Sequence, residues 1–263
     1  MNMVIPVIAM TTLGLIFGLG LAYTLRLFGV EVDPTVALII TKLPGANCGA
    51  CGKAGCAGFA EALKKGEAVP AGCAVTSDEA RKAIAQILGI DYNSKIKTIA
   101  TLICKGSKNA KDKFVYSGIK SCKAATLVFG GYKACKYACL GFGDCERVCP
   151  FLAIKIGDDN LPHINNEKCT GCGKCVQICP KAVLVLTPQK KNYHIECNSK
   201  DKGPQVMKAC KVGCIACGKC AKSCPVNAIF IEDNLAKIDY NKCSNCGECF
   251  KVCPTHAIGK RRN

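Results

Sequence analysis

The chain has 263 residues, 24 of them cysteine, with 36 Lys or Arg against 19 Asp or Glu and a formal net charge of +17. So many cysteines would suit a disulfide scaffold, but such scaffolds are short secreted domains that cannot build a core, whereas this chain is long and 49% hydrophobic. The basic excess would suit a nucleic-acid binder, but no Trp and only three His leave no platform on which bases could stack, which excludes nucleic acid as a partner.

In chain order, the stretch from Met3 to about Tyr23 is almost wholly apolar, and the first charged side chain is Arg26. That length spans a bilayer as a helix. A cleaved signal peptide would carry Lys or Arg before the apolar run and a small-residue cleavage site after it, and neither is present. Positive charge follows the helix at Arg26 and Lys42, so the expected topology is a single-pass cell-membrane anchor with the C-terminal bulk on the cytoplasmic side. Gly14, Gly18 and Gly20 form a small-residue face suited to a second membrane helix.

A linker holding Asp33-Pro34 and Pro44-Gly45 leads into the first soluble module. Ala57–Lys65 reads as a helix closed by Gly66. Thr76-x-x-Glu79 reads as a capping box opening a second helix, with Ala80, Ile84, Ile87 and Leu88 on its apolar face and Gly89 after it. Between 91 and 134 the pattern gives no fold, although Lys95–Cys104 is β-prone and Gly130-Gly131 marks a turn. The remainder repeats. Cys149-Pro150, Cys179-Pro180, Cys224-Pro225 and Cys253-Pro254 each have an aliphatic residue five positions after the Cys, at Ile154, Leu184, Ile229 and Ile258. This is a unit of Cys loop, short helix and strand, duplicated twice.

The cysteine spacing carries the chemistry. Cys214-x2-Cys217-x2-Cys220-x3-Cys224-Pro and Cys243-x2-Cys246-x2-Cys249-x3-Cys253-Pro match the bacterial two-cluster ferredoxin run, in which the fourth Cys serves the other cluster. The expected sets are Cys214, Cys217, Cys220 with Cys253, and Cys243, Cys246, Cys249 with Cys224. A third copy is Cys169-x2-Cys172-x2-Cys175-x3-Cys179-Pro, and its partner is stretched: Cys135-x3-Cys139-x5-Cys145-x3-Cys149-Pro. Crossed in the same way, these give Cys135, Cys139, Cys145 with Cys179, and Cys169, Cys172, Cys175 with Cys149. Near the N-terminus, Cys48-x2-Cys51-x4-Cys56-x16-Cys73 supplies four thiolates among glycines, which favours [4Fe–4S] over structural zinc.

These 20 cysteines imply five [4Fe–4S] clusters. Cys104, Cys122, Cys197 and Cys210 remain, either as a sixth ligand set or as four buried structural thiols. Each cluster with its four thiolates contributes about −2, so five lower the total to about +7 and explain part of the lysine excess. Lys208, Lys211, Lys219, Lys222, Lys242, Lys251, Lys260, Arg261 and Arg262 crowd the last module and the tail. They would steer an acidic donor, or else balance the clusters and face anionic lipid. No glycine-rich nucleotide loop, Walker A run or Ser/His/acid grouping is present, and His163, His194 and His256 lie outside the Cys runs.

The fold class expected is α+β. It comprises a transmembrane anchor (1–30), a small helical Cys-rich cluster domain (31–90), a connecting region of unknown fold (91–134) and two two-[4Fe–4S] ferredoxin modules (135–200 and 201–263). From residues alone the function is outer-sphere electron transfer, with no catalytic residue.

An N-terminal anchor, then Asn47-Cys48-Gly49-Ala50-Cys51-Gly52 with Gly55-Cys56 and Cys73, then ferredoxin runs, resembles the B subunit of the Rnf complex, also called Rsx. Cys139-Leu140-Gly141-x-Gly143-x-Cys145 and Asp201-Lys202-Gly203 are similar to that family as well. The resemblance covers essentially the whole chain. It implies a subunit of a membrane complex that oxidises reduced ferredoxin, reduces NAD⁺ and translocates Na⁺ or H⁺, with the flavins and the NAD site on other subunits. It also implies that shorter members carry one ferredoxin module where this chain has two. Other readings are a stand-alone membrane-tethered polyferredoxin and the iron–sulfur subunit of another membrane oxidoreductase.

Overall fold

The computed structural model describes residues 4–28, 33–92 and 96–261; Met3, Lys95 and Arg262 fall outside them. Helix α1 (Val4–Phe28) is long and apolar enough to cross a membrane. Its Pro6–Leu27 core has mean hydropathy 1.8 and none of it is covered by the rest of the chain. At 1.5 Å per residue, those 22 residues extend roughly 33 Å, the thickness of a hydrocarbon core.

The stretch expected to be a linker folds into helix α2 (Pro34–Lys42). Asp33 caps it by accepting the Thr35 N–H, and Pro34 occupies the first helical position, where a missing N–H costs nothing. Helices α3 (Gly55–Lys64) and α4 (Asp78–Leu88) match the two expected helices. The cap of α4 is Ser77 rather than Thr76: its side chain accepts from the Ala80 N–H, and Gly89 closes the helix in the left-handed conformation. Val36 and Ile39 of α2, Phe59 and Leu63 of α3 and Ile84 of α4 share one buried core with Cys73.

The β-prone stretch forms strand β1 (Thr98–Leu102). There follow helices α5 (Cys122–Leu127) and α6 (Asp144–Arg147), strands β2 (Ile154–Ile156) and β3 (Pro162–Ile164), helix α7 (Lys174–Ile178) and strand β4 (Leu184–Pro188). Strand β5 (Tyr193–Ile195), helices α8 (Gly203–Ala209) and α9 (Lys219–Lys222), strands β6 (Ile229–Glu232) and β7 (Leu235–Ile238), helix α10 (Glu248–Val252) and strand β8 (Ile258–Lys260) complete the order. The four aliphatic residues five positions after each Cys-Pro cysteine open β2, β4, β6 and β8, and all four are buried.

Strand pairing divides this half differently from the cysteine runs. β1 pairs antiparallel with β4 (Thr98↔Pro188 to Leu102↔Leu184), and β2 with β3. β5 pairs with β8 (Tyr193↔Lys260 to Ile195↔Ile258), and β6 with β7. Each ferredoxin unit thus closes on a strand that precedes its cysteines. β1 comes from the stretch expected to connect domains, and β5 from the stretch placed at the end of the first module. At the end of β8 the Arg261 guanidinium donates to Thr187 Oγ1 (2.6 Å) and Thr101 Oγ1 (3.2 Å), tying the second unit to the first.

Candidate metal centres

In the N-terminal domain Cys48 and Cys51 lie in the loop before α3, Cys56 in its first turn and Cys73 just before α4, and Cys51, Cys56 and Cys73 pack on one core. The loop is closed by Asn47, whose Oδ1 accepts the Cys56 N–H at 2.8 Å. Gly55 sits at φ +77°, and a Cβ there would stand 2.8 Å from that same oxygen, so only glycine fits. From α4 the Arg81 guanidinium donates twice to the Cys73 carbonyl, at 2.6 and 3.2 Å, holding the fourth cysteine against the helix.

In the ferredoxin half one backbone pattern recurs. The residue two after the first cysteine of a run has positive φ: Gly171 (+71°), Ala216 (+55°) and Asn245 (+66°). The glycine two before the third cysteine enters the short helix in the left-handed conformation: Gly173, Gly218 and Gly247. The residue three after each Cys-Pro cysteine is also left-handed, as Leu152, Ala182, Asn227 and His256. Such repeated strain in non-glycine residues persists only where the surroundings fix it. Here it wraps the chain around a shared centre.

Four cavities are each lined by four cysteines. One holds Cys214, Cys217, Cys220 and Cys253, and another holds Cys149, Cys169, Cys172 and Cys175, as the crossed spacing requires. Cys249 has Cys243, Cys246 and Cys224 as its neighbours, the third crossed set. Peptide N–H groups point at these sulfurs: Ala153 to Cys149 (3.4 Å), Ala228 to Cys224 (3.3 Å), Asn245 to Cys243 (3.4 Å) and, from β1, Ala100 to Cys169 (3.4 Å).

The stretched run departs from expectation. Its cavity is lined by Cys122, Cys139, Cys145 and Cys179, and Cys135 is not among them. Cys135 lines a separate cavity with Cys104, Cys197 and Cys210. The reason is visible in the backbone. Gly141 (φ +72°) and Gly143 (φ +76°) repeat the roles of Gly171 and Gly173, so Cys139 takes the first position of the run and Cys145 the third. The second position is Phe142, and Cys122 supplies the thiol it lacks. Ser121 Oγ and the Lys123 N–H both bond Asp144 Oδ2 at 3.0 Å, which pins the start of α5 beside Cys145. The signal was present in the spacing: Cys139 to Cys145 is the same interval as Cys169 to Cys175, which grouping by nearest cysteines obscured.

Burial dominates the electrostatics. It pushes the thiols of Cys145 and Cys175 up to about 12 and those of Cys220 and Cys249 up to about 11, with neighbouring cysteines adding to the rise. Among the described residues no three His, Cys, Asp or Glu converge closely enough for a single metal ion. The thiols surround cavities instead of meeting at a point. Four sulfurs around a cavity, with peptide N–H groups aimed at them, fit a polynuclear iron–sulfur group.

Comparisons with known proteins agree. Residues 43–75 match the family model of an Fe–S cluster domain, 162–185 that of the 4Fe-4S binding domain and 213–257 that of the 4Fe-4S dicluster domain. The chain is 44% identical over 240 residues to the B subunit of the Na(+)-translocating ferredoxin:NAD(+) oxidoreductase complex of Acetobacterium woodii, covering 91% of this chain and 72% of that one. It is 46% identical over 247 residues to the B subunit of the proton-translocating ferredoxin:NAD(+) oxidoreductase complex of Clostridium ljungdahlii, covering 93% and 87%. With the B subunit of the ion-translocating oxidoreductase complex of Methanosarcina acetivorans it shares 37% over 233 residues, 88% of each. The chain therefore belongs to the family of B subunits of the ion-translocating ferredoxin:NAD⁺ oxidoreductase, or Rnf, complexes.

Proposed function

We propose that this subunit takes electrons from reduced ferredoxin at its second ferredoxin unit and passes them toward the other subunits of a membrane complex that reduces NAD⁺ and moves Na⁺ or H⁺. Five ligand sets are assigned: Cys48, Cys51, Cys56, Cys73; Cys149, Cys169, Cys172, Cys175; Cys122, Cys139, Cys145, Cys179; Cys214, Cys217, Cys220, Cys253; and Cys224, Cys243, Cys246, Cys249. Bound [4Fe–4S] clusters supply one-electron steps at potentials that the protein sets. The protein's part is to hold them in series, keep water from them and direct N–H groups at the sulfurs, which favours the more negative, reduced state.

The observation that carries the docking assignment is exposure. Of the 24 cysteines only Cys217 and Cys246 are exposed, and each is within five positions in sequence of two exposed lysines, Lys219 and Lys222 for the first, Lys242 and Lys251 for the second. An acidic donor drawn to those lysines would stand against the thinnest protein cover over any cysteine set. Oxidation of ferredoxin by the purified complex should slow markedly between low salt and roughly 0.5 M, where the Debye length is only a few Å. Lys219→Glu with Lys222→Glu should slow it at low salt with iron content unchanged. A rate indifferent to both would move the docking site to another unit.

A further inference from the structure

We propose that Cys104, Cys135, Cys197 and Cys210 hold a sixth [4Fe–4S] cluster, placed between the two ferredoxin units and relaying electrons from one to the other. This rests on the reading of the chain as a cluster-bearing subunit and adds a site to it. The four thiols line one cavity although they span 106 positions of sequence, from residue 104 to 210. Cys104 lies two residues past the end of β1 and Cys197 two past the end of β5, equivalent points on the two strands that close the units. Backbone contacts hold the segments together. Ala110 pairs with Cys210 in an antiparallel bridge, Lys111 N–H donates to Ala209 O (2.9 Å), Lys211 N–H to Asn109 O (3.1 Å) and Lys105 N–H to Glu196 O (3.0 Å).

The alternative is four inert buried thiols, and the polar surroundings decide against it. A neutral thiol buried for packing has no need of aimed donors. Here Cys104 Sγ accepts two peptide N–H groups, from Gly106 and from Cys139, each at 3.4 Å. Gly106 is the residue two after the cysteine, the arrangement already seen at Cys243 with Asn245. The two carboxylates that also line the cavity, Glu196 and Asp201, are each paired with a lysine, Lys105 at 3.5 Å and Lys136 at 3.0 Å. Two donors aimed at one buried sulfur compensate negative charge that a neutral thiol would not carry.

The position supplies the role. Cys139, in the set of the first unit, donates its N–H to Cys104, and Cys197 shares one buried core with Cys214, Cys220 and Cys249 of the second unit. The sixth site thus touches a cysteine set of each unit, through an amide on one side and through the packed core on the other.

Pairwise substitution in the detergent-solubilised full chain tests both the count and the membership, with iron and acid-labile sulfide as the readout. Unaltered chain should hold about 24 iron atoms, Cys104→Ser with Cys135→Ser about 20, and Cys104→Ser with Cys122→Ser about 16, because only the first pair shares a cluster. Cluster EPR of the remaining sites should persist in the first pair. Native mass spectrometry of unaltered chain should count six cubane units, a result that does not depend on how the variants fold. Five units, or a Cys104→Ser variant that loses no iron, would overturn the sixth site. Losses of about eight iron for the first pair and about four for the second would overturn the ligand assignment. A chain holding about four iron, or stoichiometric zinc, would instead sink the parent reading.

Discussion

The peptide N–H of Cys139 donates to Cys104 Sγ at 3.4 Å, across 35 residues of chain. Cys139 itself lines the neighbouring cavity with Cys122, Cys145 and Cys179. One peptide unit thus belongs to one cysteine set through its side chain and to the next through its amide. A hydrogen bond of this kind stabilises negative charge on sulfur and gives two adjacent sites a shared, rigid backbone.

Substitution at Phe142 tests the reassignment of Cys122. Cys122→Ser should remove the cluster of the stretched run, a loss of about four iron per chain. Adding Phe142→Cys restores the regular Cys-x2-Cys-x2-Cys spacing and should return those four, because position 142 is the second of the run and stands between Gly141 and Gly143, the equivalents of Gly171 and Gly173. The cost is the contact of the Phe142 ring with Tyr116 and Tyr132, at centroid distances of 5.5 and 5.7 Å. Iron per chain in the single and double variants checks it. An unrescued double variant that keeps its other clusters would show that position 142 is not equivalent to Cys172.

Two glycines with the same backbone conformation separate strain from crowding. Gly218 has φ +72° and no atom within 4 Å of a built Cβ, so Gly218→Ala should cost only the left-handed penalty, about 1–2 kcal/mol. Gly171 has φ +71° and its Cβ would lie 2.2 Å from the Thr98 carbonyl oxygen of β1. Gly171→Ala should therefore cost about 1–3 kcal/mol more, since a strand backbone must shift. Thermal unfolding of the two iron-loaded variants checks the difference. Equal losses would mean that β1 does not pack on this loop.

Much of this architecture is legible in the amino-acid sequence. The three regular runs announce their own cysteine sets, because Cys-x2-Cys-x2-Cys-x3-Cys-Pro fixes three sulfurs on a loop and sends the fourth across. Helices α3 and α4 follow from apolar spacing and a closing glycine. What was not legible depends on long-range pairing. β1 and β5 are too short to announce which strand they join, and Cys122 enters its set from another element, which local spacing cannot reveal. Asp33-Pro34 read as a break because proline usually ends structure, yet at the first helical position it opens α2.

Sidedness can be checked on sealed cells. With Arg26 in its last turn and the basic domain beyond, α1 should leave residues 33–261 on the cytoplasmic face. External protease should spare the Cys-rich domain until the membrane is broken. Digestion of intact cells that removed it would reverse the orientation. Removing residues 1–28 should release the soluble part from the membrane fraction, unless other subunits hold it there.

The most direct test of the whole account is rapid mixing of the purified complex with chemically reduced ferredoxin, followed by freeze-quench EPR. The account predicts that signals of reduced [4Fe–4S] clusters grow in this subunit, those of the Cys214–Cys253 unit first and those of the N-terminal domain later. It predicts the same order, slowed, at high salt. A subunit whose cluster signals never appear on mixing, although its iron content is full, would contradict the claim that this chain carries electrons from ferredoxin.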